Sequence, residues 1–92
     1  ASGIAVFTQE QSKLHKTGQI LTIFGKDARE GSIVFLTINN SDNILVESLE
    51  LQATNSGDFY AIWLIPNDLL PGIYTILADD EISTSTTSFS VG

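Results

Sequence analysis

The 92-residue chain has no cysteine and no methionine, two prolines, one histidine, and four basic residues against eleven acidic ones. Without cysteine there can be no disulfide, no thiol nucleophile and no thiolate metal site. A net charge of -7 repels nucleic-acid phosphates, and no basic stripe offsets it, so nucleic acid is excluded as a partner class. No apolar run approaches the roughly 18 residues needed to cross a membrane as a helix, so direct membrane insertion is not expected. No charged-then-apolar leader is visible either. A chain that starts at Ala1 and lacks methionine reads as a processed protein or a piece of a longer one.

Catalytic signatures are equally absent. "GKDAREG" (Gly25–Gly31) lacks the spacing and the Ser/Thr of a phosphate-binding loop, and no GxSxG elbow occurs. A serine or histidine mechanism needs a base held beside a nucleophile and oriented by a third group. His15 lies between Leu14 and Lys16 in a polar connection, where a solvated loop histidine is expected. The chain is therefore read as not an enzyme and as holding no cofactor.

What is present is apolar and β-prone. Hydrophobic residues make up 42% of the chain, mostly Ile and Leu, with abundant Thr and Ser, a set suited to pleated, half-buried surfaces. Turn signals recur about every ten residues. The runs between them are Gly3–Thr8, Gln19–Gly25, Ser32–Ile38, Ile44–Thr54, Phe59–Ile65, Ile73–Ala78 and Ile82–Val91. Seven strands predict one all-β domain over residues 1–92, a seven-stranded antiparallel immunoglobulin-like β-sandwich. The third run is apolar on both faces and is expected to be central or covered. In the fourth, Leu45, Leu49 and Leu51 should share a face with Glu47. Pro71-Gly72 fits the central positions of a type II turn, and Tyr74 just after it is placed to form a tyrosine corner.

"DFYAIWLIP" (Asp58–Pro66) collects the single tryptophan and one of the two tyrosines. Side chains alternate across a strand. Phe59, Ala61, Trp63 and Ile65 therefore share one face, assigned inward, and Tyr60, Ile62 and Leu64 share the other. Tyr60 and Trp63 then point apart and cannot form one flat sugar-binding platform. The outward trio is too apolar for a fully solvated sheet and is a candidate interface.

In this fold the loops Lys26–Glu30, Asn55–Asp58 and Asp79–Glu81 gather at one end. They bring together Asp27, Glu30, Asp58, Asp79, Asp80 and Glu81, an oxygen-rich set that could hold Ca²⁺ but lacks calcium-loop spacing; a solvated acidic surface is the competing reading. The opposite end carries Lys13, His15 and Lys16. Because the chain enters near the acidic loops and leaves near the lysines, Lys13 and Lys16 are candidate contacts to a following domain. Asn39-Asn40-Ser41 is an N-glycosylation sequon in a predicted surface turn, with Asn39 the acceptor.

The order "GQILTIFGK", "GSIVFLTINNSDNIL", "SGDFYAIW", "LLPGIYTILA" and "TTSFSV", from Gly18 to Val91, resembles the Ig-like modules of archaeal surface-layer and other cell-surface proteins. It is also similar to macroglobulin-type domains, which share the "LPGIYTI" corner. The resemblance implies an extracellular, cell-surface structural module of a longer chain, commonly glycosylated and acidic. Its partners would be neighbouring domains or lattice subunits. A carbohydrate- or protein-binding module of a secreted protein is the alternative, and the burial of Trp63 separates the two.

Overall fold

The computed structural model describes residues 3–8 and 14–92. Lys13 lies outside these. Eight strands follow in chain order: β1 (Ala5–Thr8), β2 (Leu14–His15), β3 (Ile20–Lys26), β4 (Ile33–Asn39), β5 (Leu45–Gln52), β6 (Phe59–Leu64), β7 (Gly72–Asp79) and β8 (Thr84–Val91). They form a three-stranded sheet, β1-β3-β6, and a five-stranded sheet, β2-β8-β7-β4-β5. Seven strands pair antiparallel. The two-residue β2 runs parallel to β8. The chain is an immunoglobulin-like β-sandwich, as the strand pattern predicts.

The core follows from period-two alternation on strands whose two faces meet different surroundings. Leu21 and Ile23 on β3, Val34, Leu36 and Ile38 on β4, and Ile76 and Ala78 on β7 are fully buried. Between the sheets lies an aromatic cluster. The Phe89 ring stacks on Tyr74 at 5.6 Å and meets Trp63 edge-on at 6.1 Å. Tyr74 also donates its hydroxyl to the carbonyl of Leu70, 2.5 Å away, closing the predicted corner.

Four local expectations are corrected. His15 is not a solvated loop residue. It pairs with Val91 and is buried edge-on against Phe89, so a strand too short to show periodicity carries it inward. Leu45 does not share a face with Leu49 and Leu51. The register shifts between Ile38 and Asn39, so that Val46 is the extra residue and packs toward the core, while Leu45 turns out to solvent. A bulge of this kind inverts the phase of every residue before it. Gly72 has φ 154°, far from the value near +80° of a type II turn, and already pairs with Val91 as the first residue of β7. Asn39 is the half-buried last residue of β4, and the turn begins after it, where Asn40 Oδ1 accepts the amides of Asp42 and Ile44.

Gly25 is where the small sheet comes closest to its own backbone. A Cβ there would lie 2.1 Å from Phe59 Cζ and 2.4 Å from the Ala5 carbonyl oxygen. The ring can swing away, but the paired β1 backbone cannot without losing the register Val6↔Gly25. Gly25→Ala should therefore cost about 2 kcal/mol or more, in the manner of an overpacked core site. Urea unfolding of the two proteins measures it, and equal midpoints would contradict the close approach.

Candidate functional site

Three regions carry the residues that the sequence singles out: the outer face of β6, the acidic end and the opposite end. On β6, Phe59, Trp63 and the following Ile65 are buried, while Tyr60, Ile62 and Leu64 are 64%, 58% and 61% exposed. An indole packed against Phe89 is unavailable as a sugar platform, and Tyr60 stands on the opposite face from it.

The outward trio does not stand alone. Antiparallel pairing sets Ile20 beside Leu64, Thr22 beside Ile62 and Phe24 beside Tyr60, and β1 places Phe7 beside Phe24 with ring centroids 5.5 Å apart. Phe7, Ile20 and Phe24 are exposed large apolar side chains like the trio. Apart from Thr22 and Lys26 on β3, the outer face of the small sheet is thus one apolar surface. Alternation within "QILTIFG" held the signal for Ile20 and Phe24. Which strand they pair with is a long-range fact that alternation cannot supply.

At the acidic end the three loops do converge. The Ala28 amide donates to the Gly57 carbonyl at 3.1 Å, and the Arg29 amide donates to Asp80 Oδ2 at 2.9 Å. Gly57, with φ 82° and a would-be Cβ 2.6 Å from the Ala28 carbonyl oxygen, is required for that approach. The carboxylates, however, do not act as a group. Asp80 is only 2% exposed. Its Oδ1 accepts the amides of Ile82 at 2.9 Å and Ser83 at 2.7 Å, so its lone pairs are committed to backbone. Asp79 Oδ1 is used by the Glu81 amide at 2.7 Å. Asp27, Glu30, Asp58 and Glu81 are exposed. Among the described residues no three His, Asp or Glu side chains group in a way that could hold a metal ion.

The acidic end is also where the described chain begins, with Gly3 beside Ser83 and the Ile4 amide bonded to Ser83 Oγ at 3.0 Å. The other end holds the Gly92 amide on the His15 carbonyl at 3.0 Å. Lys16 is exposed there, in a tight turn in which its amide donates to Gln19 Oε1 at 2.8 Å. That end is mixed in sign, since the turn Asn40–Asn43 and the segment Pro66–Pro71 contribute Asp42 and Asp68 to a shallow cleft beside Tyr74. His15 Nε2 is buried with no hydrogen-bond partner among the described residues.

No protein-family model and no curated protein matches the sequence. Solved structures do match in shape. E. coli alpha-2-macroglobulin superposes with a TM-score of 0.75 at 18% identity, over 97% of this chain and 6% of that one. A tetra-tandem repeat from the extending region of a large adhesion protein gives 0.73 at 18% identity, over 100% of this chain and 24% of that one. The CARDB domain of a Pyrococcus furiosus protein, in complex with di-metal ions, gives 0.56 at 12% identity, covering 98% and 86%. At these identities the likeness establishes the fold. The chain spans a small fraction of the macroglobulin and about a quarter of the adhesion repeat.

Asp80 gives the acidic end a measurable signature. Burial raises the pKa of its carboxyl, but the amides of Ser83, Ile82 and Arg29 and the Ser83 hydroxyl outweigh it and hold the group below its ordinary 3.8. A lowered folded-state pKa contributes stability that is present above the ordinary value and lost as pH falls through the lowered one. In Asp80→Asn one carboxylate oxygen becomes an NH₂ facing a backbone N–H. At neutral pH the variant should lose about 2 kcal/mol, and the gap to the wild type should narrow below about pH 4. A gap that stays constant down to acid pH would show that the carboxylate charge is not what holds the loops.

Proposed function

We propose that this domain is a non-enzymatic structural module of an extracellular surface protein, of the surface-layer or adhesion type, which spaces and packs against neighbouring domains. The observation that carries this reading is the placement of the chain ends. Gly3 lies among the acidic loops and Gly92 lies at the opposite end of the strands, on a body whose longest dimension is 36 Å. Copies joined through such ends stack lengthwise, each adding its long axis to the total. The full-length match to a tandem-repeat region of an adhesion protein, and to a domain-sized part of a macroglobulin, supports the same use of the fold.

Several features argue for spacing over chemistry. The single histidine is buried against Phe89, out of reach of a substrate. Trp63 is buried too, which disfavours the carbohydrate-binding alternative. Asp80 ties the acidic loops together through backbone amides. Asn39 remains a proposed glycan acceptor. It sits half-buried at the end of β4 with the exposed Ser41 of the sequon in the turn beyond it.

Stacking end to end brings Lys16 of one module toward Asp27, Glu30 and Glu81 of the next, and Lys13 precedes it in the same connection of the sequence. Exposed charges of opposite sign attract weakly but set orientation, and salt screens them. In a tandem of two copies, small-angle scattering should give a maximum dimension close to twice 36 Å. Replacing Lys13 and Lys16 by Glu should broaden the distribution of interdomain angles. A tandem that folds back on itself would sink the spacer reading, and an unchanged profile in the Lys→Glu variant would remove the charge contact.

A further inference from the structure

We propose that the outer face of the three-stranded sheet is a lateral self-association surface, which pairs with the same face of a second copy. This rests on the module reading above and names a second contact that end-to-end stacking does not provide. The face runs along the side of the sandwich, whereas Gly3 and Gly92 mark its two ends. A following module joined through Gly92 therefore covers an end and leaves the side bare.

Size, charge and shape each point to a second copy as the occupant. Six apolar or aromatic side chains (Phe7, Ile20, Phe24, Tyr60, Ile62 and Leu64) are contiguous through strand pairing and exposed. With aromatic rings of this size half uncovered, they leave roughly 600 Å² open, the upper end of what a monomer exposes in one patch. Two such faces together bury about 1,200 Å², the lower bound of a specific interface. The outward positions of β1, β3 and β6 contain no Asp or Glu, although the chain has eleven. A second copy, which repels this one over most of its surface at a net charge of -7, meets no such repulsion here. The charged neighbours at the rim, Lys26 at the end of β3 and Asp58 just before β6, are opposite in sign.

A pleated sheet face can pair with its own copy about a two-fold axis, so that residue i meets j and j meets i, and apolar rows interleave as they do between the two layers of the sandwich. The outer face of β8 is a useful contrast. Its outward positions Thr84, Thr86 and Ser88 are hydroxyl-bearing and exposed to solvent. Elsewhere on that five-stranded sheet Ile33, Phe35 and Ile73 also face outward and are exposed, so its apolar side chains are interspersed with Thr and Ser instead of massed as on the small sheet.

The test is sedimentation equilibrium on the 92-residue chain from about 10 µM to about 1 mM. The mass should rise from 9.9 kDa toward twice that value with concentration, and added salt should favour the dimer by screening the net charge. Ile62→Thr with Leu64→Thr keeps strand-forming residues and should weaken association about tenfold or more. Lys16→Glu should leave it unchanged. On dilution, amide and ring shifts of the wild type should move at Phe7, Phe24 and Tyr60, which decides the matter even if the double variant is unstable. A monomer throughout, equal association of the double variant, or shifts confined to the chain ends would overturn the proposal. None of these results bears on the tandem scattering, so the lateral and end-to-end contacts fail separately.

Discussion

The contact on which the rest of the sandwich depends is made by Phe89. Its ring stacks on Tyr74 within the five-stranded sheet, meets Trp63 of the small sheet edge-on, and receives His15 from the short β2. One side chain near the C-terminus thereby joins both sheets and holds the return of the chain from its first connection. Aromatic pairs in tilted or offset geometry add about 1 kcal/mol beyond the area they bury. Three such neighbours make Phe89 the residue that sets the distance between the layers. The hydrogen bond from Tyr74 to Leu70 then fixes the connection that enters β7.

Once that inward face is set, the outward faces follow without further choice, because a strand has only two. Trp63 cannot be both the partner of Phe89 and a surface residue, and its inward position obliges Tyr60, Ile62 and Leu64 to face out. The composition of those outward positions is then free to vary with use. On β8 they are Thr and Ser, and on β3 and β6 they are Ile, Phe, Tyr and Leu apart from Thr22 and Lys26. Solvation accounts for the first set. The second set is held in water by an unavoidable geometry and gains by being covered.

Much of this was legible in the sequence because alternation is local. The seven long strands, the split of "DFYAIWLIP" into two faces and the corner at Tyr74 all follow from residues within a few positions of one another. The failures have long-range or phase-dependent causes. His15 is buried by pairing with Val91, a residue 76 positions away in a parallel contact too short to leave a pattern. Leu45 is exposed because one extra residue, Val46, reverses the phase of β5. Ile20 and Phe24 were visible as alternating residues, but their union with Tyr60 and Leu64 needed the order β1-β3-β6. Asp80 looked like one acid among six, and only the fold shows its carboxylate turned in upon three amides.

That last case also separates two meanings of an acidic end. A carboxylate whose oxygens accept backbone N–H groups is part of the loop framework, and its charge is compensated locally. The exposed Glu30 and Glu81 side chains face solvent, so they contribute to the field a neighbour meets. Distributed charge of one sign keeps copies apart wherever it faces water, and on the acid-free outer face of the small sheet close approach costs less of that repulsion. Acidic composition and an acid-free sheet face therefore act together. The first makes random association unfavourable, and the second leaves an apolar surface on which the proposed lateral contact would form.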